Sequence, residues 1–166
     1  MREVAKSSDD LPSEKLVIRL RDRIIRGYLE INHGTSIEDI VGHASASLPN
    51  ALFIRPEGSR EVEKIDIGDA KAIFFVREFE GDSRRKDLHF AKMAPIVHGI
   101  WIRIEFLDGE VMEGIVHNTI HHLVNPGFFL QPTDPEGNNL LVYIFKSQIR
   151  DYRVLGLRKL PNHSAA

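Results

Sequence analysis

Cysteine is absent from the 166-residue chain. That excludes a disulfide scaffold, a thiolate zinc site and a thiol nucleophile together. No stretch approaches the roughly 18 consecutive apolar residues of a membrane-spanning helix, and the opening segment MREVAKSSDDLPSE has no apolar core of a secretory signal. Neither sign of charge dominates: 22 Lys and Arg stand against 24 Asp and Glu, a formal charge of −2. A surface built throughout to hold nucleic acid or anionic lipid is thereby excluded. Aromatic residues are few, 8% with a single Trp, which leaves little for base stacking. The sequence contains no G-x-S-x-G, P-loop, G-x-G-x-x-G or HExxH. Glu61 and Glu63 form a pair of carboxylates on an expected charged strand edge, with no sequence feature that argues for a pocket there. Catalysis is the weakest reading, no cofactor is expected, and the expected location is cytoplasmic with no membrane contact.

The 42% hydrophobic and 28% charged residues are those of a folded protein. The length suits one medium domain or two of roughly 70–80 residues. Polar residues 1–14 read as an arm, 15–80 as a first unit, 81–96 as a linker, 97–158 as a second unit and 159–166 as a tail.

The two units say the same thing twice. In the second, Ile100, Ile102, Ile104 and Phe106 alternate with Trp101, Arg103 and Glu105, the period of a strand with one apolar face. Asp108-Gly109 is a hairpin-turn signal, and Val111 to Val116 is the return strand, with Gly114 marking a bend. Gly127 to Leu130, Leu140 to Phe145 and Ile149 with Asp151 to Leu155 supply three more strands. In the first unit Leu16, Ile18 and Leu20 alternate, Asp22 stands where Asp108 stands, and Gly27 matches Gly114. Leu52 to Pro56 matches Phe128 to Pro132, and Val62 to Ile67 and Ala72 to Val76 complete the set. The first unit carries an insertion, Thr35 to Val41, whose Ser36 and Asp39 suggest a capped short helix or ordered loop. The expected fold is all-β: two tandem small barrels of about five strands each, with that insertion in the first.

The segment WIRIEFLDGEVMEGIV resembles the first half of the Sm-like signature. The second half, which carries the RNA contacts of Sm proteins, is replaced here by NNLLVYIFKSQIRDYRVL. The stretches KIDIGDAKAIFFVREFEG, DGEVMEG, NPGFFLQPTDPEGNN and YIFKSQIRDYRVL, within Lys15 to Leu157, resemble a bacterial family of tandem Sm-like or SH3-like barrels of unknown function. Related domains of that family sit beside signalling modules, which implies a regulatory or adaptor role.

Two sets of residues are candidates for binding. Arg19, Arg21 and Arg23, placed on one strand face, with Arg150 and Arg153 near the C-terminus, would form a phosphate-binding ridge for RNA or DNA. The plainer reading pairs these charges with Glu105, Asp108, Glu110 and Glu113 of the second hairpin. Trp101, with Ile37, Ile40 and Val41 of the insertion, would serve a protein interface, and exposed barrel edges would allow self-association. His117, His121 and His122 lack a third metal ligand and read as loop histidines, with no metal expected. Their alternative role is sensitivity to pH near neutrality. Asn138-Asn139 most simply makes a turn. The leading expectation is therefore a non-enzymatic adaptor binding a protein partner or itself, and the alternative is a nucleic-acid-binding protein.

Overall fold

A computed structural model describes residues 14–30, 50–81, 99–134 and 136–158. The expected insertion with Ile37, Ile40 and Val41, nearly all of the arm and linker, and the tail lie outside the described residues.

The described chain is all-β apart from one short helix and one 3-10 turn. Its strands are β1 (Lys15–Leu20), β2 (Ile24–Leu29), β3 (Ala51–Pro56), β4 (Glu63–Asp66), β5 (Ala70–Val76), β6 (Gly99–Phe106), β7 (Val111–Val116), β8 (Gly127–Pro132), β9 (Asn139–Phe145) and β10 (Ile149–Arg158). The helix α1 (Ile120–Val124) lies between β7 and β8, where the sequence suggested a loop. Residues Asn118 and Thr119 favour a helix start, and the Thr119 carbonyl accepts from the His122 N–H at 3.1 Å.

All ten strands join one antiparallel sheet in the order β10-β6-β7-β8-β9-β5-β1-β2-β3-β4. The order is one five-strand pattern written twice. The block β10-β6-β7-β8-β9 is followed by β5-β1-β2-β3-β4, and β9 pairs with β5 at the seam. The sheet is continuous and open, so the hydrogen bonds define a doubled array and not two separately closed barrels.

The register carries the repeat to single residues. Gly27 lies opposite Leu16 and Pro56, and Gly114 lies opposite Ile102 and Pro132. A Cβ at Gly27 would stand 2.6 Å from the Arg55 carbonyl oxygen, and one at Gly114 2.5 Å from that of Gln131. Both positions therefore need glycine for the close approach of the next strand. The last strand of each block slips by one residue at the same place. The slip leaves Lys71 between the partners of Arg19 and Leu20, and Arg150 between those of Glu105 and Phe106. The β6–β7 hairpin turns at Asp108-Gly109, where Gly109 takes φ +87°. The first hairpin turns without glycine, closed by the Leu20 N–H donating to the Arg23 carbonyl at 2.9 Å.

Each block has its own core, and the seam belongs to both. Ile73 and Phe75 of β5 and Tyr143 of β9 join the first core, with Leu16, Ile18 and Ile54. Their neighbours Ala72, Phe74, Val142 and Ile144 join the second, with Ile102, Ile104 and Leu130. Burial on both faces is why AIFFV and LVYIF are unbroken apolar runs, whereas β1 and β6 alternate.

Candidate functional site

A sheet that repeats its own order ends in two unlike edges. One is β10, the fifth strand of the second block; the other is β4, the fourth strand of the first. At the seam these same two kinds of strand, as β5 and β9, are paired with each other. Among the described residues nothing pairs with the outer edge of β10 or of β4.

The exposures show what the missing partner does. Ile73 and Phe75 in β5 are 0% and 1% exposed, because β9 covers them. Tyr152 and Val154 occupy the corresponding places in β10, facing Ile104 and Ile102 across the ladder. They are 37% and 58% exposed, and Leu155 and Leu157 beyond them are exposed as well. Exposed apolar residues in a row along an unpaired strand mark an interaction surface. The β4 edge is more polar. Val62, Glu63, Lys64 and Asp66 are exposed there, and Ile65 is buried in the first core.

Helix α1 flanks the β10 edge and adds exposed Ile120, Leu123 and Val124. Its His122 packs edge-on against Phe128 at 4.6 Å between ring centroids, and its Nε2 lies 2.9 Å from the Tyr152 hydroxyl. The His122 Nδ1 is buried and has no hydrogen-bond partner among the described residues. Burial holds the His122 pKa below its ordinary value, and the nearby Lys146 charge lowers it further. Burial also raises the Tyr152 phenol and lowers the Lys146 ammonium, whose Nζ donates to the Leu123 carbonyl at 2.8 Å.

The arginines do not gather into one ridge. β1 ends at Leu20, so Arg21 and Arg23 are exposed in the turn beyond it. Arg19 donates to the Glu110 carboxylate at 2.7 Å and lies over the Phe74 ring. Lys71 joins the same cluster, paired with Glu110 and, at 2.6 Å, with Asp108. The Lys71 hydrogen bond holds the Asp108 carboxyl below the usual range, assisted by the Glu110 N–H. Arg150 pairs with Glu105 at 3.0 Å, and Arg153 with Asp151 at 2.6 Å. The acidic second hairpin thus neutralises the basic first one at Arg19, as the plainer charge reading has it.

The remaining candidates are dispersed. Trp101 is half-buried on β6, an inner strand flanked by β7 and β10. His117 is exposed ahead of the helix. No group of three metal-ligating side chains occurs among the described residues, and no described helix is long and apolar enough to cross a membrane.

The sequence placed Val62, Tyr152 and Val154 on strands and Asn138 in a turn, without a binding role for any of them. The Asn138 side chain does more than turn the loop. It accepts from the Glu78 N–H and donates to the Glu78 carbonyl, each at 3.0 Å, tying the end of the first block to the β8–β9 loop. The signal for the edge was present in the apolar stretch Val154-Leu155, which follows Tyr152 as Phe75-Val76 follows Ile73.

The chain matches the family of unknown function DUF6982 over residues 12–156 and belongs to it. No curated protein and no solved structure matches the chain.

Proposed function

We propose that this member of the DUF6982 family is a non-catalytic adaptor that takes up a protein by strand addition at its open sheet edges. The uncovered apolar side of β10 carries this reading. It presents unpaired backbone groups together with Tyr152, Val154 and Leu155, the combination that strand addition requires. The doubled strand order and the two cores support a further reading as two tandem Sm-like or SH3-like barrels, each completed by a neighbouring strand. The resemblance to bacterial domains found beside signalling modules supports a regulatory setting in the bacterial cytoplasm. The nucleic-acid alternative draws little support, since Arg19 and Arg150 are each held by a carboxylate of another segment and Arg21 and Arg23 lie in the turn beyond β1.

Site-specific photo-cross-linking in the cells of origin tests the proposal. A benzophenone side chain replaces Leu155 on the β10 edge, or Arg23 on the first turn. Protein adducts from position 155 and none from position 23 are expected. Nucleic-acid adducts from position 23, or no protein adduct from position 155, would overturn the reading.

A further inference from the structure

The seam inside the chain supplies a template for what its two edges bind. We infer that the occupant of the β10 edge is the β4 edge of a second copy of this chain, added head to tail in the register of the seam. The inference rests on the edge-addition reading above and names its partner.

At the seam Ala72, Ile73, Phe74 and Phe75 lie opposite Ile144, Tyr143, Val142 and Leu141. The ladders on either side identify the counterparts of these residues at the outer edges. Phe75 faces Leu16 as Val154 faces Ile102, and Phe74 faces Val17 as Arg153 faces Arg103. On the other side, Glu63 faces Ile54 as Val142 faces Leu130, and Lys64 faces Phe53 as Tyr143 faces Phe129. Transferring the seam register to the edges therefore puts Arg153 opposite Glu63 and Tyr152 opposite Lys64. It puts Val154 opposite Val62 and Asp151 opposite Ile65.

This register is fixed by the seam alone, yet it makes chemical sense at the edges. The apolar pair Phe74–Val142 becomes the ion pair Arg153–Glu63, and opposite charges directly across an antiparallel ladder attract. Val62 and Val154, both exposed in the single chain, cover each other. Arg153 is available for exchange, since its side chain is 67% exposed and pairs with Asp151 of its own strand. Because each copy keeps one free edge of each kind, the contact is heterologous and continues from copy to copy until it closes or runs on.

Light scattering on the full chain across a wide concentration range tests this, with Glu63→Arg, Arg153→Glu and their equimolar mixture. The wild-type mass is expected to rise with concentration above the 18.9 kDa of one chain. Each reversal alone sets like charges across the joint and should weaken assembly about tenfold or more. The mixture should restore assembly, because the two variants can then alternate and every joint again sets a positive charge against a negative one. Circular dichroism and thermal melting of each variant establish that it is folded, and Val154→Lys provides a second break independent of the ion pair. Wild type fixed at one-chain mass, an oligomer indifferent to both reversals, or a mixture that fails to assemble would each overturn the inference. Photo-cross-linking of position 155 to a different protein would overturn it while leaving the adaptor reading intact; absence of any adduct would remove both.

Discussion

The seam and the outer edges are built from the same two kinds of strand, and they differ in what has been written on them. At the seam, β5 and β9 present apolar side chains to both faces, and each face closes a core. At the edges, β10 keeps part of that apolar character while β4 exchanges it for Glu63 and Lys64. A joint that never opens can be apolar throughout. A joint that must stay in water when unoccupied needs charge on at least one side, since a bare apolar edge invites indiscriminate pairing. The comparison teaches that the strand order provides a geometry for joining, and the residue types decide whether the joint is permanent or reversible.

The comparison is broken most severely at Phe75. Its truncation to Ala should cost ~3–5 kcal/mol, the range for a fully buried aromatic. Because β5 contributes to both cores, urea unfolding should remain a single transition shifted to lower denaturant for both halves. The matching change at the edge, Val154→Ala, should alter the stability of the single chain by no more than ~0.5 kcal/mol, since Val154 is exposed there. Equal effects at the two positions would mean that β10 is already covered.

Next in size are the paired glycines. Gly27→Ala and Gly114→Ala each drive a methyl group into the carbonyl of the next strand, and each should cost ~1–3 kcal/mol by overpacking. Similar losses in chemical denaturation would confirm the two blocks as equivalents in energy as well as in register. A third, smaller change tests the rim of the seam. Asn138→Ala removes two hydrogen bonds to Glu78 and should cost ~1 kcal/mol, as partly solvated bonds do. Hydrogen exchange should then quicken at Glu78 and leave the β5–β9 ladder protected.

Much of this arrangement was legible in the residues, and the reasons for the gaps are physical. Alternation in β1 and β6, the Asp108-Gly109 turn and the two bend glycines are local signals, so the strands and their doubling could be read. The runs AIFFV and LVYIF were legible as strands, and the structure shows that they are buried on both faces. What covers them was not legible, because pairing of β5 with β9 joins residues about 70 positions apart, and no local pattern specifies such a partner. Edge association was expected, but the residues of the edge were not legible for the same reason, since the exposure of Val154 depends on which strand lies beside β10 and not on its own sequence. The placement of the arginines differs for another reason. Alternation carries past Leu20 in the sequence, but the backbone turns at Arg21, so the three arginines never share a strand.

The smallest effect concerns the pH response of the β10 edge. The His122 pKa is lowered by its partial burial against Phe128, with Lys146 adding to the depression. A histidine whose folded pKa lies below its unfolded value contributes stability that is fully present above about pH 6.5. As pH falls below that value the unfolded chain takes up a proton that the folded chain resists, so stability declines. The decline is complete once pH has dropped through the lowered folded pKa. Asp108 acts in a separate, more acid window, because its depressed carboxyl loses its advantage only as pH falls below the ordinary aspartate range. Thermal melting of the wild type should therefore show a shallow loss starting near pH 6.5 and a second loss in stronger acid. His122→Gln should remove the first and keep the second, whereas Asp108→Asn should do the reverse. Since His122 also holds Tyr152 beside the open edge at 2.9 Å, the same acid step should loosen β10 selectively, read as faster hydrogen exchange in β10 with none in the seam. A uniform change in both would place the titrating group in the shared core and remove the difference between edge and seam.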